Sequence, residues 1–121
     1  MKNALFIMSL LALLYACGDS STNTGADENK KPVSTDVYRG KMLISQNDCL
    51  TCHREDTLLI GPAYNAVAAK YAGQTAMVDT LASKIIKGGT GVWGEAVMTP
   101  HPQLSEADAK LMATYVLSLS H

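Results

Sequence analysis

Hydropathy divides the chain into three unequal parts. Residues 4–14 form an apolar run of eleven interrupted only by Ser9, too short to span a bilayer. Residues 18–34 are almost entirely Ser, Thr, Asn, Gly, Asp, Glu and Lys, with Val33 the one large apolar side chain. From residue 35 onward apolar positions recur at helical spacing, and this third part is where a core can form.

Four helices follow from that spacing. Thr35 or Ser34 can cap a first helix whose stripe is Val37, Gly40, Leu43 and Ile44, ending at a turn near Asp48. Gly40 lowers helix propensity in mid-helix, so something is expected to pack closely against it. Tyr64, Val67, Ala68 and Tyr71 mark one face of a second helix, which Gly73-Gln74 breaks. Thr75 starts a third with Val78, Leu81, Ala82 and Ile85 inward, Lys84 and Lys87 in the last turn, and Gly88-Gly89 as its stop. Ser105, with Asp108 three residues on, opens a last helix with Leu111, Met112, Tyr115, Val116 and Leu119 on its apolar face. Between the third and last helices, residues 88–102 are crowded with Gly and Pro around Trp93 and Met98, a segment expected to be irregular.

Charge narrows the function classes only slightly. Ten Lys and Arg against eleven Asp and Glu argue against a nucleic-acid-binding module. Lys2 before the apolar run reads as a secretory signal over residues 1–16, whose removal would take one positive charge and leave nine against eleven. Leu14-Tyr15-Ala16-Cys17 resembles the lipobox of bacterial lipoproteins, Tyr15 being a departure, and it makes Cys17 the expected lipidated residue. Residues 17–34 then serve as lipidated N-terminus and flexible tether, with a reach of roughly 20–25 Å. Residues 35–121 form the folded domain. A chain this short gains from a buried cofactor that substitutes for missing apolar side chains.

The chemistry is concentrated in Cys49-Leu50-Thr51-Cys52-His53. C-x-x-C-H is the attachment signature of a c-type haem, two thiols adding to its vinyl groups and the adjacent imidazole taking an axial position on iron. On a helical turn these three residues fall at i, i+3 and i+4 and project from one face. Zinc would require four ligands, yet there is no second C-x-x-C, and His101 and His121 are not spaced as a ligand pair. A thioredoxin-like pair would need a strand–helix–strand setting that the pattern lacks.

An iron held by one histidine has a further position to fill. Met42 and Met112 lie in amphipathic helices and Met77 begins one, where methionine ordinarily fills core space. Met98 lies in the Gly- and Pro-rich segment that can fold over the other haem face, with His101 as its rival. The expected site is an apolar cleft carrying Cys49, Cys52 and His53 on one wall and Met98 on the other.

With these residues in place, the chain from residue 36 to 119 resembles a class I cytochrome c of the short bacterial monohaem kind. The resemblance rests on the Cys49-x-x-Cys52-His53 motif, Ile60-Gly61-Pro62-Ala63-Tyr64, Gly88-x-x-Gly91-Val92-Trp93-Gly94, Met98 followed by Pro100, and Tyr115 in the last helix. It implies an all-α fold, four to five short helices around one covalent haem c. It also implies thioethers at Cys49 and Cys52, axial iron ligands His53 and Met98, a carbonyl near Pro62 accepting from the His53 ring, and Trp93 reaching a haem propionate. Gly40 and Tyr115 stand where family members cross their first and last helices. Where short relatives often carry consecutive prolines after the methionine, this chain reads Met98-Thr99-Pro100-His101-Pro102.

The function implied is one-electron transfer in a bacterial respiratory chain, without catalysis at iron. The carrier is expected as a monomer lipid-anchored at Cys17 on the periplasmic side, between a quinol-oxidising complex and a terminal oxidase or nitrite reductase. A second class is the same domain permanently docked on a membrane dehydrogenase or reductase. A haem-based sensor or peroxidase would need an open sixth position and an acid–base group beside it, for which only His101 offers itself.

Overall fold

The computed structural model describes residues 34–120. The expected signal at residues 1–16, the expected lipidation at Cys17, all but the last residue of the expected tether at 17–34, and His121 lie outside the described residues. The described elements are α1 (Ser34–Gln46), a 3-10 turn (Asp48–Thr51), α2 (Tyr64–Lys70), α3 (Met77–Lys87), β1 (Gly89–Gly91), β2 (Gly94–Met98) and α4 (Glu106–Ser118).

Helix α4 is the hub against which α1, α2 and α3 pack. Its start follows the expected cap: the Asp108 backbone N–H donates to Ser105 Oγ at 3.1 Å, and the Ser105 hydroxyl donates to the Asp108 carboxylate at 2.7 Å. Ala109, Met112, Ala113 and Val116, at i, i+3, i+4 and i+7, are buried. Together with Ile44, Tyr64, Val67 and Tyr115, Met112 and Val116 make the core. Gly40 is buried where α1 crosses α4, and a Cβ there would run into the Leu111 carbonyl and stand 2.9 Å from Tyr115 Cβ. The glycine that weakens α1 as a helix therefore permits its closest tertiary approach.

Two elements differ from the sequence expectation. Helix α3 begins at Met77, not Thr75, because tight-turn hydrogen bonds occupy the intervening chain: Met77 N–H donates to Gln74 O at 3.0 Å and Val78 N–H to Thr75 O at 3.2 Å. The segment expected to be irregular contains an antiparallel two-stranded ribbon in which Gly89 pairs with Met98 and Gly91 with Gly94. Gly91 and Gly94, at φ 90° and 100°, bracket the tight turn at Val92-Trp93. The register shift between the two pairs gives β2 two extra residues. This ribbon adds a small sheet to an otherwise helical fold and places Met98 at its base.

Candidate haem site

The expected attachment residues sit at the 3-10 turn after α1, Cys49 within it and Cys52 capping its end. Cys52 N–H donates to Cys49 O at 3.2 Å and His53 N–H to the same carbonyl at 3.0 Å, so one carbonyl closes the whole C-x-x-C-H segment. Cys49 and Cys52 are free thiols, each partly buried. Burial is the main cause that pushes the Cys49 thiol above its ordinary range.

The chain then folds back beneath the His53 ring. Gly61 N–H donates to Cys52 O at 2.8 Å, and Tyr64 and Asn65 N–H groups donate to Arg54 O and Glu55 O at 2.9 Å. This loop aims the Pro62 carbonyl at His53 Nδ1, 2.8 Å away. A carbonyl only accepts, so Nδ1 carries the proton and Nε2 keeps a lone pair. Tyr64 stacks on the imidazole, with ring centroids 5.3 Å apart and planes 16° from parallel, and its own edge-on partner is Tyr115 at 6.5 Å. Burial, first, holds the Tyr64 phenol protonated far above its usual range.

Cys49, Cys52, His53 and Met98 all line one cavity of about 370 Å³. Its volume lies within the range of small-molecule and cofactor pockets. Ile60, Leu81, Ile85 and Val116 contribute to a largely apolar wall. The residues present fit a c-type haem: two thiols for covalent attachment, an imidazole with its outer nitrogen satisfied and its inner one free, a thioether sharing the cavity, and apolar walls for a macrocycle.

Other sequence candidates fall into clear places. His101 also lines the cavity, but it is only 8% exposed and both ring nitrogens face oxygens of other elements, Nε2 at 2.8 Å from Asp48 Oδ1 and Nδ1 at 3.3 Å from Ile85 O; both oxygens only accept, and the shorter contact is the one to Asp48. Trp93 lines the cavity from the ribbon turn and is 41% exposed, with Lys70 Nζ 5.1 Å from its ring centroid. Met77 and Lys84, read from sequence as helix filler and end-of-helix charge, also border the cavity. Periodicity could not reveal this, since it marks a face as inward without saying whether protein or cofactor fills the space.

Comparison with known proteins agrees with this geometry. The family model described as Cytochrome c matches residues 37–120. Cytochrome c-551 of Azotobacter vinelandii is 48% identical over 79 residues, covering 65% of this chain and 95% of its own length. Cytochrome c-552 of Hydrogenobacter thermophilus is 44% identical over 83 residues, 69% of this chain and 84% of its own. The crystal structure of wild-type Nitrosomonas europaea cytochrome c552 superposes with a TM-score of 0.63 at 41% identity, covering 66% of this chain and 99% of that one. The chain belongs to the cytochrome c family, as a small class I electron carrier with one covalent haem c held at the Cys49–Cys52 motif.

Proposed function

We propose that this protein carries single electrons in a bacterial respiratory chain, with His53 and Met98 as axial ligands of its haem c. The observation that carries the ligand assignment is the division of labour among the side chains sharing the cavity. His53 has one nitrogen satisfied by Pro62 and one free, Met98 ends the ribbon on the same cavity, and the His101 ring is turned with its nitrogens toward Asp48 and Ile85.

The bound haem supplies a one-electron Fe(II)/Fe(III) couple, which Met/His ligation places at high potential. Cys49 and Cys52 tether it, and the Pro62 carbonyl fixes the His53 tautomer and strengthens the imidazole as a donor. Tyr64 and Gly61 hold the ring plane, the apolar wall would keep water from a bound haem, and Trp93, which lines the cavity from the ribbon turn, would be the residue to reach a propionate. If His53 and Met98 both held the iron, small molecules would have no entry to it, which disfavours sensor or peroxidase chemistry.

Electron exchange takes place across a weak, transient contact beside the cavity, where Ile60, Val92 and Val97 line its wall and, like the neighbouring Leu58, are exposed. The partners are a quinol-oxidising complex upstream and a terminal oxidase or reductase downstream. Residues 1–16 serve as export signal, Cys17 as lipid anchor, and residues up to 34 as a tether that keeps the domain, 35–121, at the periplasmic face of a membrane. Detergent phase partition of wild type against Cys17→Ser tests the anchor: the variant is expected in the aqueous phase.

The ligand assignment is tested by the optical spectrum of the ferric and ferrous holoprotein beside Met98→Ala. The expected result is a low-spin ferric spectrum whose weak near-red sulfur-to-iron band is absent from the variant. A wild type without that band, or one whose ferrous form binds carbon monoxide readily, overturns it.

A further inference from the structure

His101 is the only buried residue in the segment 98–102. Its backbone N–H donates to both Ile85 O and Ile86 O at 3.1 Å, which anchors the segment to the end of α3. Its ring goes further: Nδ1 lies 3.3 Å from Ile85 O, and Nε2 reaches Asp48 Oδ1 at 2.8 Å. Asp48 opens the 3-10 turn and directly precedes Cys49. One side chain thus joins the end of α3, the segment carrying Met98 and the turn carrying the attachment cysteines. Gly88 completes the joint, since a Cβ there would collide with the Met98 carbonyl and stand 3.0 Å from Pro100 N.

We infer that His101 and Asp48 form a strap that positions Met98, holding its segment against the turn that bears Cys49 and leads to His53. The inference rests on the proposed axial role of Met98. A core histidine placed only to fill space would not need an exposed carboxylate from an element 53 residues away, and Asp48 makes no other ion pair among the described residues. The same hydrogen bond is the main cause holding the Asp48 carboxyl below its usual range, so the acceptor is charged at neutral pH.

A methionine on an irregular segment leaves iron by moving that segment outward, and the strap opposes the movement. Imidazole added to the ferric protein binds only where Met98 has left, so its apparent affinity scales with the released fraction. Because Asp48 is exposed, solvent weakens the bond, and its loss is expected to raise the apparent affinity about threefold to tenfold.

The experiment is an imidazole titration of the ferric holoprotein for wild type, Asp48→Ala, His101→Leu, the double variant and His101→Gln. The near-red band of wild type is read before any imidazole is added, and its absence there removes the Met98 assignment and this inference with it. With the band present, the strap predicts tighter imidazole binding in Asp48→Ala and His101→Leu, no further gain in the double variant, and partial return in His101→Gln, whose amide N–H can still donate to a carboxylate. Unchanged affinity in Asp48→Ala, or a double variant equal to the product of the two singles, overturns it. The exposed Asp48 keeps the test open even where His101→Leu folds poorly.

Discussion

The imidazole of His53 rests on Gly61 so closely that a Cβ at Gly61 would stand 2.8 Å from both ring nitrogens. The same residue's N–H holds Cys52 O, and its successor Pro62 offers the carbonyl to Nδ1. Gly61→Ala must displace either the ring or the loop, so the Pro62 hydrogen bond is lost with it. The expected effect is destabilisation of the holoprotein by about 1–3 kcal/mol, read by thermal unfolding, together with a raised reduction potential, since an imidazole without the Pro62 hydrogen bond is a weaker donor to ferric iron. An unchanged melting temperature and potential would show that the loop has slack which this packing denies.

At Gly40 two effects oppose one another. Alanine gains roughly 1 kcal/mol of helix propensity over glycine in mid-helix. Against this, the new Cβ would collide with the Leu111 carbonyl and Tyr115 Cβ, and neither is the far end of a flexible side chain that can swing aside. Parting α1 from α4 costs typically about 1–3 kcal/mol or more, so Gly40→Ala is expected to destabilise on balance. A denaturant midpoint at or above that of wild type would refute the close crossing.

Gly40 also shows what the sequence makes legible. A glycine inside a helical stripe is an anomaly that demands a neighbour, and the family order of Tyr115 named it. The four helices, the Ser105 cap and the cysteine turn were readable for similar reasons, each resting on local spacing. The ribbon at residues 89–98 was not, because glycines announce positive φ without saying whether the freed chain finds a ladder partner. The placement of the His101 ring between Asp48 and Ile85 was hidden too, since both are distant in sequence and nothing local pairs them. Met77 and Lys84 were read as ordinary helix positions because a cofactor cavity and a protein core impose the same periodicity.

Met112 separates those two kinds of wall. It is 1% exposed, belongs to the core and borders the cavity as well. Met112→Ala leaves a void in that core, and about 2–5 kcal/mol of stability is expected to go with it. Met112→Leu conserves volume and is expected to stay within about 1.5 kcal/mol of wild type. Because Met112 is assigned to packing, both variants should retain the near-red band that Met98→Ala loses. Loss of the band in Met112→Leu would transfer the ligand role to α4.

Glu55 ties the loop after His53 to both crossing helices, accepting from the Tyr115 hydroxyl and from Lys41 Nζ, the latter at 2.9 Å. The Tyr115 hydrogen bond first, and Lys41 next, hold its carboxyl below the ordinary glutamate range. A carboxyl whose folded value is depressed binds its proton more tightly in the unfolded chain. Its contribution is therefore complete above the unfolded value near 4.5 and is lost as pH falls through the lower folded value. Glu55→Gln should flatten the acid limb of melting temperature against pH below that point, and Tyr115→Phe, which removes the leading donor, should flatten it less because Lys41 remains. The effect is expected to be modest, since the glutamate side chain is half exposed and solvent screens both partners. Acid limbs of equal slope in all three proteins would mean that Glu55 titrates alike in the folded and unfolded chains, and that its contacts orient the loop without adding pH-dependent stability.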